Sequence, residues 1–149
     1  MNHTDQLPAP FLLVKAQVLT RHWIPFFHSF VQAGFPSPAE NYIERVCDLN
    51  ELCITNAEAT YFVRASGDSM SGDRIEPGDV LVVDCSLEAS QGKIVIVWLN
   101  GEHTVKRIHY REEDVILVPS NSRYAPIRIG PGDDFRVFGV VTYIFHKPR

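Results

Sequence analysis

Cysteine is scarce in this chain of 149 residues: Cys47, Cys53 and Cys85 are the whole set. An odd count without a C-x-x-C pair is a poor disulfide framework and a poor tetrahedral zinc site. Packed, reduced thiols in a reducing, cytoplasmic compartment are expected instead. Basic residues are also short: 14 Lys+Arg stand against 18 Asp+Glu, a formal net charge of −4. A domain that lives by gripping nucleic-acid phosphates is usually basic. The balance argues against that role, though not against work beside DNA through a partner. No apolar run approaches the roughly 18 residues that cross a bilayer. The stretch Phe11-Leu12-Leu13-Val14 is stopped by Lys15, too early for a signal-peptide core.

Several catalytic patterns are missing as well. H-E-x-x-H metal spacing does not occur. The G-x-S-x-G elbow is absent, because Ser71 stands two residues past Ser69. A late Asp-x-x-His does not occur either, since Arg136 and Val137 follow Asp133 and Asp134 at that spacing. There is no internal repeat and no low-complexity tract.

What is present suits one compact domain with an arm attached. The chain is 45% hydrophobic and 21% charged, enough to bury a core. Residues 1–33 hold two basic residues (Lys15, Arg21) and one acid (Asp5), whereas residues 34–149 carry a net negative charge. The first part has no steady period. It holds Pro8, Pro10 and Pro25 and the aromatic group Trp23, Phe26, Phe27 and Phe30. Such a segment cannot make its own core and is too apolar to float freely. It should lie against this domain or a second copy. Gly34-Phe35-Pro36-Ser37-Pro38 then holds the backbone extended. Residues 39–53 read as a short helix, with Tyr42, Ile43, Val46, Leu49 and Leu52 as a rough apolar stripe.

From Ala59 the pattern turns to strands. Tyr61-Phe62-Val63, Val80 to Val83, Ile94 to Leu99, Val115 to Val118 and Phe135 to Phe145 are rich in strand formers. The run Ile94 to Leu99 reads as buried on both faces. Pro77-Gly78-Asp79, Asn100-Gly101, Pro-Ser-Asn-Ser and Gly-Pro-Gly-Asp supply turns between them. Asn100-Gly101 predicts a tight hairpin returning through Glu102 to Ile108. The expected fold is mostly β, antiparallel, and rolled or barrel-like.

The segment Ala65-Ser66-Gly67-Asp68-Ser69-Met70 leaves a strand through a glycine and sets a hydroxyl at the exit. A nucleophile needs such a place, with backbone N–H groups near to hold an oxyanion. Ser and Gly also simply make turns. His103, His109 and His146 are candidate bases for Ser69. Arginine cannot serve, since it does not deprotonate. Of the four lysines, Lys15 lies in the arm, Lys147 at the end, and Lys93 at a strand start facing solvent. Lys106 lies on the hairpin's return strand, sharing a face with Thr104 and Ile108. Desolvation there would lower its pKa from about 10.4 and let it take the Ser69 proton. Alternatively its stem lies along the sheet with the amine in water.

Other residues have structural readings first. Asp68 caps or braces its turn. Met70 shapes the cleft or joins the core. Asp79 and Asp84 close turns beside a strand, Trp98 is core or a partner surface, and Cys85 is a packed thiol. Glu112-Glu113-Asp114 follows Lys106-Arg107 and Arg111 closely, so that stretch reads as a solvated face.

Taken together, residues 34–146 resemble the LexA/UmuD family of self-cleaving serine proteases. The resemblance rests on Gly34-Phe35-Pro36-Ser37-Pro38-Ala39, Ala59-Thr60-Tyr61-Phe62-Val63, Ala65 to Met70, Gly78-Asp79, Gly101 to Lys106, and Phe138-Gly139-Val140-Val141. These fall in order at family spacing. The resemblance implies Ser69 as nucleophile and Lys106 as general base, with no cofactor. Backbone N–H groups at Ser69 and Met70 are candidates for the oxyanion hole, with Asp68 beside them.

It also implies a mobile N-terminal arm, residues 1–33, cut from residues 34–149 at a small-residue bond, and Ala33-Gly34 offers one. The expected partners are a second copy of the chain, the RecA–single-stranded DNA filament as trigger, and a Y-family polymerase in translesion synthesis. Two departures stand out. The arm is longer than usual through about Pro10, and Ala33 stands where one branch often has Cys. A repressor reading lacks a helix-turn-helix before Gly34. A signal-peptidase reading lacks an anchor. An adaptor with an idle Ser–Lys pair is the remaining rival.

Overall fold

The computed structural model describes residues 14–15, 21–27 and 43–149. The chain divides into two compact units, one of residues 56–149 with Val14–Lys15, the other within residues 17–55.

The smaller unit pairs β2 (Ile24–Phe27) with β3 (Ile43–Cys47) antiparallel, Ile24 opposite Cys47 and Phe27 opposite Ile43. Pro25 is tolerated because a two-stranded ribbon leaves each strand an open edge. A short helix α1 (Leu49–Cys53) follows. Asp48 starts it, its Oδ1 accepting from Asn50 N at 2.8 Å, while its Oδ2 accepts from His22 N. This corrects the single helix expected over 39–53, of which residues 39–42 lie outside the described ones. Ile43 and Val46 are β-branched, and pairing with Ile24–Phe27 overrides the weak helical stripe. The capping carboxylate at Asp48 then fixes where helix begins.

The larger unit is an eight-stranded antiparallel sheet, the mostly β architecture expected from the turns. Its strands are β1 (Val14–Lys15), β4 (Thr60–Arg64), β5 (Val80–Asp84), β6 (Ile94–Leu99), β7 (Glu102–Arg111), β8 (Asp114–Val118), β9 (Ile127–Arg128) and β10 (Phe135–Phe145). The order is β1-β4-β5-β10-β6-β7-β8-β9, so the sheet is open with β1 and β9 at its edges. The β6–β7 hairpin turns at Asn100-Gly101, both at positive φ (49° and 93°), as a type I′ turn requires.

Alternation along β6 explains why its run is continuously apolar. Ile96 packs into one core with Val63, Leu81, Val83, Met70 and Ile75. Val95 and Val97 pack into another with Ile108, Leu117 and Val140. Both faces of the sheet centre are buried, so a period of two cannot show in hydropathy. β10 lies between β5 and β6 and shifts register against each, at Val137/Gly139 and at Val141/Tyr143. Gly139 fits one shift because its backbone lies against Val83 and Asp84, leaving no room for a Cβ. Trp98 stands at the rim rather than in the core. Its Nε1 donates to Asp134 Oδ2 at 2.9 Å, and Arg136 lies 5.5 Å from its ring centre. Among the described residues, no helix is long and apolar enough to cross a membrane.

Candidate active site

β4 ends at Arg64, and Ala65 to Met70 leave the sheet. Two backbone bonds pin the exit: Ala65 N donates to Asp79 O and Gly78 N donates to Ala65 O, both at 2.8 Å. Gly67 takes φ +73°, a conformation costly for side-chain-bearing residues, and reverses the chain. Ser69 follows, partly exposed, before a 3-10 turn over Ser71–Asp73. Met70 is buried in the first core and also lines the cleft, so both readings of it hold.

Lys106 sits mid-strand in β7, opposite Val95 of β6, and is 7% exposed. Its Nζ lies 2.9 Å from Ser69 Oγ, 2.8 Å from Thr104 Oγ1 and 2.9 Å from Val105 O. The amine is therefore turned inward and does not reach for water. Burial lowers its pKa below the ordinary lysine value. A cleft opens beside this pair, between the Ala65–Met70 segment and His103 to Val105, against Ile75. An amine held toward its neutral form against a hydroxyl can take that hydroxyl's proton, as nucleophilic catalysis by serine needs.

Of the three candidate histidines, two lie elsewhere. His109 Nδ1 is 3.3 Å from Gln91 Nε2, and His146 Nδ1 is 2.7 Å from Asp79 Oδ1. His103 lines the cleft, its ring edge-on to Trp98 and Phe138. Burial and the Arg136 charge hold its pKa down. Lys93 and Lys147 are exposed.

Asp68 braces its turn, as expected, but through an unforeseen partner. Its carboxylate accepts from Tyr124 Oη and pairs with Arg123, and its backbone oxygen accepts from Asn121 Nδ2 at 3.0 Å. The Tyr124 hydrogen bond comes first among the causes that lower its pKa. From the sequence, residues 119–122 read only as a turn. The signal available was four side-chain hydrogen-bonding residues in a row, Ser120 to Arg123, more than a turn needs. The solvated face expected at Lys106-Arg107 is also corrected: Arg107 pairs with Asp73 Oδ1 at 2.6 Å and donates to Gly92 O. Ala33 and Gly34 lie outside the described residues.

In the structure a strand-borne lysine is hydrogen-bonded to a serine at a strand exit. The model of the family "Peptidase S24-like" matches residues 25–142, and the chain belongs to that family of self-cleaving serine proteases. Within it the chain is UmuD-like, a protein of SOS mutagenesis. It is 45% identical to "Protein MucA" of Salmonella typhimurium over 123 residues, 82% of this chain and 84% of that one. "Protein SamA" of Salmonella typhimurium strain LT2 is 43% identical over 138 residues, 93% of this chain and 96% of the relative. "LexA repressor" of Anaeromyxobacter sp. strain Fw109-5 is 38% identical over 120 residues, 78% of this chain but about half of the repressor (52%).

Proposed function

We propose that this chain cleaves its own Ala33-Gly34 bond with Ser69 and Lys106. Neutral Lys106 takes the Ser69 proton while Oγ bonds to the Ala33 carbonyl carbon. The C–N bond to Gly34 breaks, and Lys106 returns the proton to the departing Gly34 amine. Water then hydrolyses the acyl-enzyme through the same base, freeing residues 1–33 from residues 34–149. The N–H groups of Ser69 and Met70 hold the oxyanion. The observation that carries this reading is the 2.9 Å contact between a buried lysine amine and Ser69 Oγ. Small side chains at Ala33 and Gly34 suit it, since an extended backbone must sink close to Ser69.

The cytoplasmic chain acts as a homodimer. Contact with the RecA–single-stranded DNA filament favours the cleavable pose without adding a catalytic group. The shortened form joins a Y-family polymerase in translesion synthesis. Family membership supports these partners.

Intact mass tests the reading. Wild type, Ser69→Ala and Lys106→Ala are incubated at about pH 10, where an ordinary lysine is substantially neutral. They are also incubated at neutral pH with RecA, single-stranded DNA and nucleotide. A fragment beginning at Gly34 from wild type alone is the expected result. An intact wild type under both conditions sinks the reading and favours an adaptor with an idle Ser–Lys pair.

A further inference from the structure

The Ser69 peptide plane is held by a different part of the chain. Ser69 O accepts from two backbone donors, Ser120 N at 2.9 Å and Asn121 N at 3.1 Å. A trans peptide sets its C=O and its N–H in opposite directions. Pinning the Ser69 carbonyl therefore also sets the direction of the Met70 N–H, the group assigned to the oxyanion. The same loop holds the preceding carbonyl, since Asn121 Nδ2 donates to Asp68 O at 3.0 Å. On the far side, Ser120 Oγ accepts from Asp73 N at 2.9 Å. Gly72 lies so close that a Cβ there would stand 2.0 Å from Ser120 O.

We infer that the loop from Pro119 to Tyr124 is a clamp that aims the nucleophile and its oxyanion donor, with Ser120 and Asn121 as positioning residues. The inference rests on the protease reading above. The turn has bonds of its own, Ser71 N donating to Asp68 O at 3.2 Å and Asp73 N to Met70 O at 3.1 Å, and the loop adds to them. Here five of six residues from Asp68 to Asp73 meet one distant loop, through hydrogen bonds at Asp68, Ser69 and Asp73, side-chain contact at Met70 and close backbone packing at Gly72. The Ser69 hydroxyl is meanwhile left to Lys106. Misplacing a reacting group by 1 Å costs about 100-fold in rate, so a clamp of this kind has catalytic consequence.

The test uses the full chain as wild type, Asn121→Ala and Gly72→Ala. Self-cleavage rate is followed from neutral to alkaline pH by intact mass. Labelling of Ser69 by a fluorophosphonate is timed in parallel, because it reports the nucleophile without needing the arm. Thermal melts check that each variant folds. Asn121→Ala should lower the high-pH plateau about 10-fold and Gly72→Ala about 100-fold, both with slowed labelling and an unchanged midpoint pH. Should Gly72→Ala fail to fold, Asn121→Ala decides.

Folded variants that cleave and label within about twofold of wild type overturn the inference alone. A rate loss carried by a shifted midpoint also overturns it, because the effect would then act on Lys106. A wild type inert to both readouts overturns the protease reading and this inference with it.

Discussion

His146 Nδ1 lies 2.7 Å from Asp79 Oδ1, joining the end of the chain to the turn before β5. Asp79 is 4% exposed, while the His146 side chain is half in water. The second Asp79 oxygen accepts from Glu76 N at 2.9 Å, and Asp79 O accepts from Ala65 N. One buried residue therefore anchors both the turn and the strand exit that leads to Ser69.

Asp79→Ala should destabilise the fold by about 1–3 kcal/mol, because it strips the Glu76 N–H of its buried acceptor. His146→Ala should cost less, its ring being exposed enough for water to replace it. Burial raises the Asp79 pKa, but the Glu76 hydrogen bond and His146 outweigh it, so the net direction is down. Its contribution is complete above the ordinary carboxylate value of about 3.9 and is lost as pH falls through the lowered folded value. Melts from pH 6 to pH 2, wild type against Asp79→Ala, should converge at the acid end.

Self-cleavage should rise with pH to a plateau. Its midpoint should lie below the ordinary lysine value, because burial favours the neutral amine of Lys106. Stability carries the same signature. The unfolded chain holds the lysine proton to higher pH, so the contribution of Lys106 grows as pH climbs from the lowered value toward about 10.4. The melting temperature of Lys106→Met minus that of wild type should therefore shrink across that window. A difference flat with pH would show that the amine titrates as if in water.

Gly139→Ala should destabilise by about 1–3 kcal/mol, the usual cost of overpacking a core. Its Cβ would stand 2.7 Å from Val83 Cγ1 and 3.1 Å from both Asp84 O and Cys85 Sγ. Denaturant melts measure the loss. A neutral result would mean that β10 can slide at its register shift.

Cys85 should resist alkylation at pH 8 in the folded state. It is partly exposed, yet burial first, and the Asp84 charge second, push its pKa up to about 11. Thiolate is the reactive form, so little is present. Mass spectrometry after iodoacetamide, native against unfolded, reads this directly. Rapid native labelling would contradict the assigned environment.

Local patterns made the sheet legible. Runs of strand formers marked β4, β5, β6, β8 and β10, and Asn100-Gly101 marked the hairpin that returns along β7. The lysine that meets Ser69 stood out because the other three lay at chain ends or strand starts. Whether it reached inward could not be read, since period-two alternation places a side chain on a face and does not say what covers that face. The Ser120–Tyr124 contacts were invisible for a related reason. They join positions about 50 apart along the chain, and no short-range spacing encodes them. Ile43 to Cys47 misled because its fate depends on a partner strand, Ile24–Phe27, rather than on its own propensity.

The strand at the middle of the sheet, β10, comes after both of its neighbours along the chain. β5 and β6 do not pair with each other; each waits for β10, residues 135–145, to come between them. Lys106, on the far side of that gap from the strand that leads to Ser69, has no settled serine until β10 is in place. A nascent chain cut short before residue 135 therefore lacks the strand that joins the β4–β5 side of the sheet to the β6–β7 side, and with it the meeting of Lys106 and Ser69.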